Sequence, residues 1–331
     1  MRRLGRDAPA AEDVSVSVVF ATHNRAERLA ALLRSLRDQT LDIERFEVIV
    51  VDDGSADTTP DVLQRELAAG DIRLRVLRNE QPRGPAAARN AGWRAARGTL
   101  IAFTDDDCRA TPGWLEAGLA AWGDDPDRFV QGRTDPDPAE AGNSGPFTRT
   151  LTIHKLGPHY QTCNVFYPRT LLDRHDGFFG EGFSVPSAED ADLACRCLEG
   201  GAHARFADDA RVFHAVHELG PLGLLRIAWR WHEAVQLIAR HPSQRRTLIH
   251  RVFWKGTHYL LARAAIGLLL PRRRGLAPLR FWCLAPLAPT YLRRGRSAGG
   301  TAWLAPYYLV HDIVETIAIL RGAVRYRTPV I

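Results

Sequence analysis

Hydrophobic residues alternate between strand-like and helix-like segments in the first part of the chain. Three short apolar runs and one segment of alternating apolar and basic residues predict strands, and each is followed by a segment predicted to be helical. Regular alternation of strand and helix predicts an α/β fold, a mainly parallel sheet with helices on both faces. The predicted strands are 14–20, 46–51, 72–77 and 100–103, and the predicted helices are 25–39, 60–69, 85–97 and 112–122.

Beyond residue 122 the pattern is less regular. Residues 123–160 are rich in Gly, Pro and Asp and are predicted to form loops around short strands. A boundary is placed near residue 219, where the composition changes. The predicted elements before it are strands 163–167, 204–206 and 211–213 and a helix over 189–199.

Acidic residues follow the second and fourth predicted strands, as Asp52-Asp53 and as Asp105-Asp106-Asp107. Ligands bind beyond the carboxyl ends of parallel strands, so both clusters are expected at the ligand-binding edge. Three adjacent carboxylates repel one another, and a hard cation such as Mg²⁺ or Mn²⁺ would neutralise them and also bind phosphate. The alternatives are a solvated acidic turn and an Asp-Gly turn. No glycine-rich dinucleotide or P-loop motif follows the first strand.

Two further groups of residues could act as a general base or as a metal ligand. Glu189 and Asp190 begin a predicted helix, where acids suit the helix dipole, and capping alone could explain them. The functional interpretation makes one of these carboxylates a general base. His214 follows a short predicted strand and is interpreted as an extra metal ligand, with a structural histidine as the alternative.

Eight segments of the chain occur in a characteristic order and spacing. They are VSVVFATHNRAERLAALLRSLRDQT, FEVIVVDDGSADTT, NEQPRGPAAARNAGWRAARGTLIAFTDDD and PGWL, then CNVFYPRTLL, GFFGEGF, AEDADLACRCLEGGA and ARVFH. Together they resemble the family-2 glycosyltransferases of the GT-A fold. The resemblance covers roughly residues 14–217 and implies that 14–218 form the GT-A catalytic domain. Residues 1–13, before it, are predicted to be a flexible tail.

The resemblance implies inverting transfer of a sugar from a nucleotide-diphosphate sugar, by family habit a UDP-sugar, to a hydroxyl acceptor. Asp190 would be the catalytic base, and Asp107 and His214 would hold a divalent cation, Mn²⁺ or Mg²⁺. Asp105-Asp106-Asp107 resembles the D-x-D motif of the family. Many members carry a fourth acid directly after this motif, where this chain has Cys108. We do not expect that difference to abolish metal binding. The resemblance assigns Thr22, Asn24, Asp53, Arg89, Asp105 and Asp106 to the nucleotide sugar, and Glu189 and Asn164 to the acceptor or to support.

The last third of the chain differs in charge. Residues 219–331 carry 18 basic and three acidic residues, whereas 1–218 carry 26 and 35. Five of the eight tryptophans also lie there, together with an apolar run over 302–320 that His311, Asp312 and Glu315 interrupt, which favours an interfacial helix over a span.

Aromatic and basic residues together favour an anionic membrane surface as the partner of this region. One alternative is a helical subdomain with a solvated arginine-rich face, which could shape an acceptor pocket. A nucleic-acid partner is not expected, because no known nucleic-acid-binding module is recognised.

Composition limits the class and the compartment. The chain has 331 residues, 45% hydrophobic and 25% charged, which excludes disordered, collagen-like and disulfide-dense proteins. Five cysteines without a C-x-x-C pair indicate reduced thiols, and the polar N-terminus has no secretory h-region. These features favour a cytoplasmic location. Together with the family resemblance and the basic region 219–331, they lead us to expect an enzyme that is peripheral on the inner face of the cell membrane and acts on a lipid-linked or cell-envelope glycan. A soluble acceptor such as a natural product, and a non-catalytic nucleotide-sugar-binding relative, remain the alternatives.

Overall fold

The computed structural model describes residues 2–4, 14–178, 188–297 and 302–331. Its residues form two compact units. Unit 1 comprises Met1–Gly142 and Thr150–Val216, and unit 2 comprises Asn143–Arg149 and His217–Ile331. Most of the GFFGEGF segment lies outside the described residues.

Unit 1 contains a nine-stranded mixed sheet. Its strands are β1 Arg2–Leu4, β2 Val16–Thr22, β3 Phe46–Asp52, β4 Leu74–Arg78, β5 Leu100–Thr104, β6 Cys108–Ala110, β7 Arg128–Pro136, β9 Asn164–Pro168 and β10 His203–His214. The two remaining strands, β8 Thr148–Arg149 and β11 His217–Glu218, pair with each other in unit 2. The spatial order is β1-β4-β3-β2-β5-β9-β7-β10-β6. The predicted parallel arrangement is confirmed for β2 to β5, and antiparallel pairs at β9, β6 and β1 make the whole sheet mixed. Residues 2–4, placed in the tail by the sequence analysis, form the edge strand β1.

Helices cover both faces of this sheet. In unit 1 they are α1 Ala26–Arg37, α2 Thr59–Ala69, α3 Pro85–Ala95, α4 Trp114–Trp122, α5 Arg169–Arg174 and α6 Glu189–Glu199. Because side chains alternate along a strand, Val18 belongs to a core with the leucines of α1, and Val19 to a second core with α3. The contact of α3 with the sheet requires glycine at position 92, since a Cβ there would lie 2.5 Å from Cγ1 of Val19.

Unit 2 is mostly helical, with α7 Gly220–Arg230, α8 Val235–Arg240, α9 Gly256–Leu269, α10 Ala277–Leu284, α11 Leu287–Ser297 and α12 Ala305–Arg325. The acids that interrupt the apolar run over 302–320 are buried. Asp312 accepts a hydrogen bond of 2.6 Å from Arg294, and Glu315 lies 2.6 Å from Nζ of Lys255. The exposed face of α12 is apolar instead. Within the described residues, no helix is both long enough and apolar enough to cross a membrane.

Candidate active site

The candidate residues meet at the carboxyl edge of the central strands. β2 pairs in parallel with both β3 and β5, so the segments that follow these three strands converge. A cavity of about 350 Å³ lies at this edge. It is lined by Ala21, Thr22, His23, Arg25, Asp53, Pro85, Arg89, Asp105, Asp106 and Asp107.

Asp53 is buried at the wall of this cavity and organises the loop between β4 and α3. Its carboxylate accepts hydrogen bonds from Nδ2 of Asn79 at 2.7 Å and from the backbone amides of Arg83 at 2.9 Å and Gly84 at 2.8 Å. Several donors to one carboxylate fix both its orientation and the loop. Asp53 could be predicted from its position after a strand, whereas Asn79 could not, because its contact depends on how that loop folds back.

Thr22 and Asn24 have different positions although they are close in sequence. Thr22 is buried and lines the cavity. Asn24 has a left-handed backbone with φ of 53°, and its Oδ1 accepts the amide of Ala56 at 2.8 Å. Asn24 also donates its own amide to Oγ of Ser55 at 3.0 Å. Its contacts therefore join the loop after β2 to the loop after β3, and its predicted contact with the nucleotide stays a prediction.

Arg89 connects the two groups of acids. Its Nη2 donates to Oδ1 of Asp105 at 2.7 Å, and its Nη1 lies 3.9 Å from both Oε1 of Glu189 and Oδ1 of Asp190. Burial by itself would lower the pKa of Arg89, but the surrounding carboxylates outweigh it and raise that pKa. A fixed positive charge thus stands between the acid cluster after β5 and the first turn of α6.

Asp106 and Asp107 share a second cation, Arg25, that the sequence analysis did not identify. Nη1 of Arg25 donates to Oδ2 of Asp107 at 2.5 Å and lies 3.5 Å from Oδ1 of Asp106. Burial raises the pKa of Asp106 to about 7, and the Asp107 carboxylate adds to this rise while Arg25 opposes it. A signal was present in the sequence, since Arg25 comes three residues after Thr22 at the same strand end.

His214 faces Asp107. It lies at the end of β10, which pairs antiparallel with β6 so that His214 is opposite Cys108. Nδ1 of His214 donates to the carbonyl oxygen of Ala215 at 2.8 Å, and Nε2 of the same ring lies 3.7 Å from Oδ1 of Asp107. A carboxylate oxygen and an imidazole nitrogen at this separation fit a bridging divalent cation such as Mn²⁺.

Cys108 does not take the place of the missing acid. Its side chain is buried in the core, and the thiol donates to the carbonyl oxygen of Cys163 over 3.7 Å. Burial raises its pKa well above the ordinary value, so the thiol stays neutral.

Asp190 lies in the first turn of α6. Its Oδ2 accepts hydrogen bonds from the amide and the hydroxyl of Thr162, at 3.0 and 3.1 Å. Its Oδ1 has no hydrogen-bond partner among the described residues. Burial and the adjacent Glu189 carboxylate raise the pKa of Asp190 to about 7, against the effect of Arg89. A carboxylate that titrates near neutral pH is suited to general-base chemistry.

Asn164 is a structural residue and does not line the cavity. Its Oδ1 accepts from Nε1 of Trp114 at 2.9 Å, and its Nδ2 donates to the carbonyls of Arg133 and Ala210 at 2.7 and 2.8 Å. These contacts use its hydrogen-bonding capacity inside the core. Of the two roles expected for Asn164, acceptor contact and support, the structure therefore favours support.

The sequence matches the family described as glycosyl transferase family 2 over residues 17–185, which is half of the chain. The chain belongs to glycosyl transferase family 2. This family-2 glycosyltransferase chain is 41% identical over 289 residues to validoxylamine A glucosyltransferase of Streptomyces hygroscopicus subsp. jinggangensis, covering 73% of this chain and 64% of that protein. It is 32% identical over 248 residues to pre-mycofactocin glycosyltransferase of Mycobacterium tuberculosis, covering 71% and 50%.

A solved structure supports the same fold. The mannosyltransferase PcManGT from Pyrobaculum calidifontis, in complex with GDP-Man and Mn²⁺, aligns with a TM-score of 0.61 and 22% identity over 97% of this chain and 89% of that one. The expected GT-A fold class is therefore confirmed. The chain spans only about half to two thirds of the two curated relatives named above.

Proposed function

We propose that this chain is an inverting, metal-dependent glycosyltransferase that transfers a sugar from a UDP-sugar to a hydroxyl acceptor. The observation that carries the proposal is the position of Arg89, which contacts Asp105 on the donor side and lies beside Asp190 on the acceptor side. Membership of glycosyl transferase family 2 supports the class of reaction.

The donor side is formed by the acids of the cavity. The resemblance to family 2 assigns Asp53 to the nucleotide base and Asp105 to the ribose, and the position of both residues in the lining of the cavity supports that assignment. Asp107 and His214 would hold Mn²⁺ or Mg²⁺, whose charge stabilises the negative charge that develops on the diphosphate leaving group. The carboxylate–imidazole pair fits that ion in its chemistry, and PcManGT was solved with Mn²⁺.

The acceptor side depends on Asp190. In the proposed reaction its carboxylate removes the proton of the acceptor hydroxyl, and the acceptor oxygen forms a bond to the anomeric carbon. The bond between that carbon and the diphosphate oxygen breaks, and both electrons leave with the nucleoside diphosphate. One displacement from the opposite side inverts the anomeric centre. Thr162 holds Asp190 in place through two hydrogen bonds to Oδ2, which leaves Oδ1 for the acceptor.

The proposed acceptor is a lipid-linked or cell-envelope glycan, reached by peripheral association of residues 219–331 with the inner face of the membrane. The basic excess and the tryptophans of this region support that location. A soluble acceptor is the second candidate, favoured by the 41% identity to a validoxylamine A glucosyltransferase. A non-catalytic relative is disfavoured because Asp53, Asp107 and Asp190 are all present.

Calorimetric titration of UDP, GDP and dTDP with and without Mn²⁺ tests the donor site. We expect UDP to bind in a manner that requires both Mn²⁺ and Asp107, so that Asp107→Ala abolishes the heat. Asp61→Ala, which changes an exposed acid on α2, serves as the matched control. Binding of GDP or dTDP instead would correct the nucleotide, and folded protein that binds none of the three would contradict the proposal.

A further inference from the structure

Two packed helices of unit 2 expose large apolar side chains. At the end of α9 and along α10, Leu268 is 66% exposed, Leu269 85%, Phe281 73% and Trp282 53%. Single exposed apolar residues are ordinary, but several large ones on one pair of helices indicate an interaction surface. We call Leu268, Leu269, Phe281 and Trp282 the hairpin patch.

The helices α9 and α10, which carry the hairpin patch, pack closely against each other. A Cβ at Gly267 would lie 2.6 Å from Cβ of Cys283, so α9 and α10 are in direct contact at this end. The guanidinium of Arg263 stacks 4.0 Å from the ring of Trp282 and donates to its carbonyl oxygen. The patch therefore belongs to a packed pair of helices.

Positive charge accompanies the patch. Arg272, Arg273 and Arg274 are exposed in the segment that joins α9 to α10. Negative charge in residues 219–331 is internal, because each of the three acids is buried against a basic partner. The pairs are Glu233 with Arg325 at 2.7 Å, Asp312 with Arg294 at 2.6 Å and Glu315 with Lys255 at 2.6 Å. The three arginines therefore lack an acidic neighbour from this region and complement an anionic surface.

We infer that the hairpin patch is the site at which the chain docks on an anionic lipid bilayer. The apolar side chains enter the interfacial layer, and Arg272, Arg273 and Arg274 bind lipid phosphates. A second copy of the chain is a poor occupant, because a two-fold contact through the patch would bring the arginine runs of both copies into one interface. The inference rests on the proposed membrane association and specifies its surface.

The test is co-sedimentation of the full chain with vesicles of phosphatidylcholine, with or without phosphatidylglycerol. We expect binding only to the anionic vesicles and weaker binding at high salt. Leu269→Ser with Phe281→Ser should lower the partition coefficient at least about tenfold, since it removes two exposed apolar groups. Arg272→Gln, Arg273→Gln and Arg274→Gln together should produce a similar loss. Circular dichroism melting checks that each variant is folded.

The matched control changes another exposed apolar surface of unit 2. Ile313→Ser with Ile317→Ser alters residues that are 41% and 50% exposed on α12, which falls in the run predicted from the sequence to be interfacial. If the bilayer docks on the hairpin patch and not on α12, binding of this variant should equal that of the unchanged chain. Loss of binding in this control, or unchanged binding in the hairpin variants, would overturn the inference alone. A chain that binds neither vesicle would overturn both the inference and the proposed membrane association. The nucleotide titrations report separately on the transferase.

Discussion

Arg25 and His214 approach the same carboxylate, that of Asp107, at its two different oxygens. The guanidinium donates to Oδ2 of Asp107 at 2.5 Å, while Nε2 of His214 lies 3.7 Å from Oδ1 of the same carboxylate. The side chain of Arg25 is 41% exposed and directly precedes α1, so it can leave the carboxylate without disturbing the core. A cation bound by Asp107 must therefore compete with Arg25.

Replacing Arg25 should strengthen metal binding. Arg25→Gln removes a positive charge beside Asp107, and such a charge is worth about 1 kcal/mol at 4 Å in water, or roughly fivefold in Kd. Calorimetric titration with Mn²⁺ alone measures the change. Arg28→Gln, one turn further along α1 and paired with Glu140, should leave the affinity unchanged. Equal or weaker binding by Arg25→Gln would show that Arg25 does not compete with the ion.

Asp190→Asn should separate binding from transfer. The amide keeps the shape of the side chain but cannot accept the acceptor proton, so we expect about 10²–10⁴-fold slower transfer. Nucleotide affinity, measured by calorimetry, should be retained because the donor acids are unchanged. Normal turnover in this variant would mean that Asp190 is not the base.

The pH dependence of transfer should report the same carboxylate. Because the pKa of Asp190 is raised to about 7, the rate at low substrate concentration should fall as the pH drops below about 7. Thr162→Val removes the 3.1 Å hydroxyl hydrogen bond to the charged form, so this acidic limb should move to higher pH. If the acidic limb of the pH profile does not move in Thr162→Val, it reports the titration of a group other than Asp190. Asp106 is then the first candidate.

Asp106 should destabilise the metal-free protein at neutral and alkaline pH. Its pKa rises from 3.8 to about 7 on folding, so the folded state favours the protonated form. The favourable contribution of protonated Asp106 to the free energy of unfolding is fully present below about pH 4, and it is lost as the pH rises through 7. Asp106→Asn should therefore raise the melting temperature more at pH 8 than at pH 5. An equal gain at both pH values would contradict the raised pKa.

Asn164→Ala should unfold more easily. It leaves the indole of Trp114 and the carbonyls of Arg133 and Ala210 without their partner, and each buried unsatisfied group costs about 1–3 kcal/mol. We expect at least about 3 kcal/mol lower free energy of unfolding in urea. Unchanged stability together with a raised KM for the acceptor would instead support an acceptor contact.

Much of unit 1 could be predicted from local sequence. The residues of β2, β3 and β5 are apolar runs, and their parallel pairing follows from the alternation of strand and helix. Acids that follow parallel strands lie at the same edge of the sheet. For this reason the sequence predicts that Asp53 and Asp105 lie close together, and both line the cavity. Asn164 shows the limit of this reasoning, because its three partners lie on separate segments of the fold.

The periodic elements, the positions of the acids at strand ends and the charge difference between the two parts of the chain can all be predicted from the amino-acid sequence. These features depend on neighbouring residues and on composition. The folded chain was needed to show that His214 faces Asp107, that Arg25 pairs with Asp106 and Asp107, and that Asp312 and Glu315 are buried while α12 exposes apolar side chains. Such contacts join residues that are distant in sequence, and they arise from strand pairing and helix packing, which local periodicity does not encode.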